Sequence, residues 1–536
     1  MLENLKYRYL YIRHMANKFY GLWGEESISS DSNPKLYEYI YKQFNVKSEQ
    51  TVWDGYYSPP LVSIDDVLKK LLLSSLPESR ISFDVKDRFY HSIGKGASEY
   101  IRLMNNEKFE IVDAVIYPLD DEVPYILKNL GNDAEIIIFG GGTSVTEGLT
   151  PKKTKKYSVS LDIKNFRDFK INKESLVLEA GTGYIGPELE KKLNSEGLTL
   201  GQFPESFEHS TLGGWIATNA AGQESNRYGK IKEMIMGLKI ITPNGTYVDH
   251  PVPAESAFFK VSDLAVGSEG AFGVITKAWL KLYPIPKNIY FHSFMFHSFI
   301  EGIEALRNEF ESSNFPMISR LSDETETSLS MLAIKDSFLT NIFKRYLDMR
   351  NVLKKSCLLI LIDDCKRSYQ AFKGGVPIGS APAKFWYKTR YERPYMYNEL
   401  LKRGVVAETI ETSMLWSTVN TLYNNVIKTF NEVTAKNNIK GTIMSHASHE
   451  YKTGTALYFT FLFYSEKEKE KALYLIRHAL LETILKSGGS ISHHHGIGTM
   501  LNKELKDYKG DTYNLIRLIK KNVDPQNIIN SGIIYD

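Results

Sequence analysis

Near the C-terminal end, the stretch SGGSISHHHGIGTM sets His493, His494 and His495 in a row beside Gly496 and Gly498. Three adjacent imidazoles admit three uses: ligands to a metal ion, carriers of protons, or polar residues of a solvated loop. Imidazole titrates near neutrality, so a short run can pass protons to and from a buried site. On an extended strand His493 and His495 would face one side and His494 the other, so the three cannot hold one metal ion together. His446 and His449 are the further ligands by residue type, and no metal site is assigned.

The second chemical feature is a set of glycine-rich segments. Phe139 ends an apolar run and is followed by Gly140, Gly141, Gly142, Thr143, Ser144 and Val145. Successive glycines let backbone N–H groups converge on an anion, forming a nest for phosphate. The spacing is not that of a Rossmann fingerprint, no helical pattern follows, and the Gly-Lys-Ser/Thr of a P-loop is missing. Taken alone, such a glycine run is more often a tight bend than a cofactor site.

Two further segments change the reading. GQFPESFEHSTLGG carries Pro204, Glu205, Ser206, His209, Ser210, Thr211 and Gly214, and continues through Thr218, Asn219, Ala220 and Ala221. Small residues crowd around Trp215 and Ile216 there, which no flexible linker would contain. GSEGAFGVIT repeats the theme with Gly267, Ser268, Glu269, Gly270, Gly273 and Val274. Three such loops in one strand-rich region imply an extended cofactor with a diphosphate and rings, since a single phosphate needs only one.

The elements that must position these groups fall into four stretches. Residues 1–106 read as helices broken by loops, and 107–284 as short strands and turns with a Pro-Asn-Gly hairpin tip. Residues 285–486 alternate helices and strands, and 487–536 carry the histidine triplet, one final helix and a docked tail. The class is α+β. At 536 residues and 43% hydrophobic positions the chain can bury more than one core. Lys+Arg at 66 against Asp+Glu at 63 leaves a net charge of +3, which excludes the concentrated basic face that nucleic acid requires. Cys357 and Cys365 make no disulfide framework, which fits a reducing compartment. Apolar runs such as CLLILI fall short of the roughly 20 residues that cross a bilayer. The N-terminus lacks a secretory pattern, and GIIYD is not a Ser-Lys-Leu address. A cytoplasmic location is expected, with peripheral contact at the inner membrane face through the aromatic-rich N-terminus or NIYFHSFMFHSFI.

In their order, these segments resemble the flavin-binding domain of the vanillyl-alcohol oxidase superfamily, whose members bind FAD between two α+β subdomains. GGGTSV is similar to its diphosphate loop, and PESFEHSTLGGWIATNAAG and GSEGAFGVIT to its second and third flavin segments. No histidine or cysteine lies in FGGGTSVTEG, so FAD is expected to be bound non-covalently. Within the superfamily, SHHHGIG resembles the alkyl-dihydroxyacetonephosphate synthase family, as do MISRLSDE around Arg320, ETIETSMLWS around Trp416 and YKTGTALYFTF around Tyr458. That resemblance implies an enzyme that exchanges the acyl chain of acyl-dihydroxyacetonephosphate for a fatty alcohol. The substrate carbon would be held as a flavin N5 adduct, without net redox change, in a homodimer. It also implies that Tyr458 transfers a proton, that His494 and His495 assist, and that Arg320 binds an anionic group. An FAD-dependent 2-hydroxyacid dehydrogenase or oxidase is the alternative. Against it, no Gly-Asp-Gly-Asn-Leu-His segment is present, and the glutamate of a Glu-His-Gly triplet is His494 here. Tyr397 stands where the synthases carry a phosphate-holding arginine, with Arg390 or Arg393 as substitutes from a neighbouring turn, and Gln202-Phe203 replaces their His-Glu.

Overall fold

The computed structural model describes residues 19–24, 34–47, 51–59, 63–311, 315–332, 338–353, 355–367, 372 and 374–534. The segment 1–18, which carries most of the aromatic-rich N-terminus considered for membrane contact, lies outside the described residues.

Two sheets carry the glycine segments. The first orders Ile81–Ser82, Ala114–Ile116, Tyr157–Asp162 and Ala134–Phe139, parallel except for the first pair. Its strands are almost wholly buried, as parallel strands covered on both faces are. The second is antiparallel and orders Gly245–Val248, Ile235–Thr242, Val274–Lys281, Val177–Gly181 and Phe169–Asn172. Its first pair is the hairpin closed by Thr242 and Gly245 around Pro243-Asn244.

The third sheet is an antiparallel array of seven strands drawn from residues 290–464. Along Gly454–Tyr464, Leu457, Phe459, Phe461 and Phe463 are fully buried in the core that also takes in helices Phe299–Glu311, Val419–Lys436 and Lys469–Lys486. Each such aromatic contributes about 2–3 kcal/mol relative to exposure. Because side chains alternate along a strand, the even-numbered Tyr458 and Thr460 must point to the other face. The same alternation on Lys440–Tyr451 sends Ile443 and Ala447 to the core and Met444, His446 and Ser448 away from it. NIYFHSFMFHSFI supplies a strand of this sheet, with Phe294, Met295 and Phe296 buried, so these residues serve the core rather than a membrane rim.

The tail forms two helices, Asn502–Lys509 and Asp511–Val523, rather than the single one expected. They break at Gly510, whose φ of +52 no helix accommodates. Beyond them the chain joins the first sheet's edge: Ile136 N–H donates to Ile528 O, and Asn530 N–H to Ile136 O. Among the described residues, no helix is long and apolar enough to cross a membrane.

Candidate functional site

A cavity of about 2160 Å³, including its open mouth, lies between the two glycine-bearing sheets and the core-averted face of the seven-stranded sheet. Gly140, Gly141, Gly142, Thr143, Ser144 and Val145 line it directly after their strand. Their glycines answer to packing as well as to any ligand. A Cβ on Gly141 would sit 2.1 Å from His209 O, and one on Gly140 would sit 2.5 Å from Thr211 Oγ1. Gly142 holds φ at +68. The loop is thus pressed against the second small-residue segment, of which Pro204, Glu205, Ser206, Ser210, Thr211, Gly214, Thr218, Ala220 and Ala221 also line the cavity.

Several expected cofactor residues stand behind this wall and hold its shape. Phe139 packs on His91 at 4.1 Å, and His209 bonds Tyr395 Oη at 2.8 Å. Asn219 caps helix Leu212–Thr218 in the left-handed conformation. Gly267, Gly270 and Gly273 have positive φ, and the Gly273 Cα stands so near Ile241 O that a Cβ would meet it at 2.6 Å. Ser268 Oγ donates to Ala265 O, and Val274 starts the following strand in the core. Glu269 does line the cavity, but its carboxylate accepts Ile497 N–H at 2.8 Å and Gly498 N–H at 2.9 Å. Burial raises its pKa to about 7. Glu269 therefore ties the third segment to the loop that follows the triplet.

The histidines depart from the strand geometry expected of them. Residues 493–495 form a bend, with His494 and His495 both on the cavity wall and His493 turned away. The cause is Glu411 on strand Val406–Leu415, which lies inside the ETIETSMLWS motif read for Trp416, where the sequence assigns it no role of its own. Its carboxylate accepts the N–H groups of His493, His494 (3.1 Å) and His495 (2.8 Å) and the hydroxyl of Ser492 (2.7 Å). Three successive amides aimed at one carboxylate cannot lie on an extended strand. Its place in that motif, as an acidic residue in an alternating strand, was the available signal, and cross-strand pairing with Tyr458 gives it meaning.

Tyr458 is the centre of this wall. Its ring stacks on His446 at 5.0 Å and on His494 at 6.1 Å, and meets His495 edge-on at 5.4 Å. Burial, then the nearby Glu205 carboxyl, pushes its phenol well above the usual range. Burial likewise lowers the pKa of His494 and His495, that of His446 to about 4 and that of His449 to about 3. At neutral pH the wall is a set of uncharged imidazoles around a neutral phenol, able to accept and return protons.

Opposite charge gathers beside it. Arg320 Nη2 reaches Glu326 Oε1 at 2.5 Å and His446 Nδ1 at 2.9 Å, while Arg393 Nη1 reaches the same Glu326 oxygen at 3.2 Å. The two guanidinium groups hold the Glu326 carboxyl well below the carboxylate range, although burial opposes them. Two cations sharing one firmly ionised carboxylate leave positive charge for an anionic ligand. Glu205 faces the pair with its pKa raised, chiefly by burial. Arg393 and Tyr397 lie one turn apart on helix Arg393–Lys402, and both line the cavity. Arg390 does not reach it, being held over the Tyr387 ring at 3.7 Å.

The residues present fit an extended nucleotide cofactor. The glycine cradle would be filled by any Cβ, and on the cavity wall Gln223 Oε1 and Arg320 Nε are buried without a hydrogen-bond partner. Such orphaned groups call for a ligand or water to complete them. Fold and site define an FAD-dependent flavoprotein whose seven-stranded third sheet forms one wall of the cavity. Residues 113–250 match the FAD binding domain family, and 378–534 match the C-terminal domain of FAD linked oxidases.

The chain is 31% identical over 502 residues to the alkyldihydroxyacetonephosphate synthase of Trypanosoma brucei brucei, covering 88% of this chain and 81% of that protein. To the synthase of Dictyostelium discoideum it is 29% identical, covering 94% and 88%. A solved alkyldihydroxyacetonephosphate synthase structure superposes with a TM-score of 0.78 at 26% identity, over 93% of this chain and 92% of that one. The chain belongs to the alkyldihydroxyacetonephosphate synthase family.

Proposed function

We propose that this protein replaces the acyl chain of acyl-dihydroxyacetonephosphate with a fatty alcohol, forming an ether bond without net oxidation or reduction. The observation that carries the reading is the convergence of Tyr458, His494, His495, Arg320 and Arg393 on the cavity that the three glycine segments enclose. The three glycine-bearing segments would hold FAD non-covalently, and its electron-poor ring would serve as an electron sink for the substrate carbon. The chain's own residues do the rest. The proton that leaves the substrate carbon passes to the Tyr458 phenol oxygen as that phenol gives its own hydroxyl hydrogen to the neutral imidazole of His494 or His495, so the imidazole is the net acceptor. Arg393 takes the headgroup phosphate in place of the arginine that Tyr397 displaces, with Tyr397 beside it as a hydroxyl partner. Arg320, fixed by Glu326 and His446, sets the charge at the cavity end and aligns the leaving carboxylate.

The four stretches 1–106, 107–284, 285–486 and 487–536 are retained as the working domain division. A homodimer and peripheral contact with a bilayer are part of the same reading, since both lipid substrates reside in membranes. Exposed Phe258 and Phe259 near Val252 supply apolar surface for that contact. The test is incubation of the yellow protein with labelled hexadecanol and palmitoyl-dihydroxyacetonephosphate. Ether product without oxygen consumption supports the reading, whereas flavin bleaching by lactate or glycolate with turnover on an acceptor would replace it.

A further inference from the structure

The proposed exchange has a proton balance. An ester and an alcohol become an ether and a carboxylic acid, which at neutral pH is a carboxylate and one proton. Each turnover therefore leaves a proton at the histidine-lined wall of the cavity. His493 does not face that cavity, yet it is the most constrained member of the triplet. Its N–H is held by Glu411 and its carbonyl accepts Lys230 Nζ at 2.5 Å. Its ring Nδ1 lies 2.8 Å from His494 Nδ1, and its Nε2 lies 2.5 Å from Tyr451 Oη. Tyr451 ends the strand Lys440–Tyr451, is half-buried, and is followed by exposed Lys452 and Thr453. Trp416 Nε1 donates to its carbonyl at 3.1 Å, and burial, then the charge of the exposed Glu233 carboxylate, raises the pKa of its phenol. Both ring-nitrogen links, to His494 and to Tyr451, are within hydrogen-bond reach.

We infer that His494, His493 and Tyr451 form a proton exit from the cavity to solvent, His493 and Tyr451 being relay residues that touch neither substrate nor cofactor. A proton taken by His494 leaves from its Nδ1 to Nδ1 of His493. His493 gives its Nε2 hydrogen to the Tyr451 hydroxyl, which releases its own hydrogen to water. One proton enters, one leaves, and every group is neutral before and after. This inference rests on the proposed exchange for its purpose, but its geometry does not depend on the substrate's identity.

The test uses flavin-loaded protein in two arms. In the first, dithionite-reduced FAD is reoxidised by two equivalents of ferricyanide in weak buffer with a pH indicator. Oxidation releases a ring proton while ferricyanide takes the electrons, so no lipid substrate is needed. In the wild type the indicator should follow the flavin absorbance; in Tyr451→Phe and His493→Gln it should lag on the order of tenfold or more. The second arm follows ether formation. Tyr451→Phe should be slowed, with unchanged FAD affinity, and imidazole buffer should restore its rate while leaving the wild type unaffected. Indicator and flavin moving together in both variants overturn the relay, as does a slowed Tyr451→Phe that no small buffer rescues. If one variant loses FAD, the other decides. A wild type that makes no ether product counts against the exchange itself, and the indicator arm still decides the relay.

Discussion

Replacing Glu411 by glutamine should release the histidine loop. The wild-type carboxylate accepts four hydrogens, from three successive backbone amides and from Ser492. A glutamine side chain keeps one acceptor oxygen, which can retain Ser492 and one or two amides. Its NH₂ group would confront the His493 N–H donor with another donor. Each hydrogen bond to a charged acceptor contributes about 1.5–3 kcal/mol, and a buried N–H left without a partner costs about 1–3 kcal/mol. Losing one bond and weakening the others sums to about 2–4 kcal/mol of local stability, or on the order of 30- to 700-fold in the opening equilibrium. Hydrogen exchange at the amides of 493–495, read by mass spectrometry of peptides spanning 488–500, should accelerate by that factor, while the fully buried strand Gly454–Tyr464 keeps its protection. Ether formation should fall in parallel, because this carboxylate holds the backbone amides of His494 and His495 that place both rings on the cavity wall. Exchange at 493–495 within threefold of wild type would refute the account of how the loop is shaped.

Tyr458→Phe should lower turnover by about 10²- to 10⁴-fold at unchanged FAD affinity, measured by product formation and flavin titration. Gly141→Ala should abolish FAD retention, because its methyl would stand 2.1 Å from His209 O, and the purified protein would be colourless. Arg393→Met should raise KM for the phosphorylated substrate while leaving fatty-alcohol saturation unchanged, and Arg393→Lys should recover part of it. For His446, burial lowers the pKa from 6.5 to about 4. The folded state thus binds fewer protons than the unfolded one, and stability is lost as pH falls from 6.5 toward 4, by about 3 kcal/mol at the lower end. A His446→Gln variant, which keeps an acceptor for Arg320, should show a shallower loss of melting temperature between pH 7.5 and 5 than the wild type.

The sequence by itself determined the cofactor and the chemical cast. Three small-residue segments, each too dense in glycine and alanine to be linkers, required backbone running close to a large ligand. LYFTFLFY reads as an apolar strand carrying Tyr458 and Tyr464, and the resemblance singles out Tyr458 for proton transfer. What it could not determine was the shape of the triplet. Local spacing of three histidines permits an extended strand, and only the carboxylate of Glu411, 82 residues upstream of His493 and cross-strand from Tyr458, bends it so that two imidazoles enter the cavity and the third points outward. Likewise Glu269 reads as one more flavin-loop residue until the fold brings Ile497 and Gly498 onto its carboxylate. Tertiary structure decided these points because both glutamates act on backbone amides more than 80 residues distant, and sequence patterns report periodicity within an element, not which distant carboxylate satisfies its N–H groups.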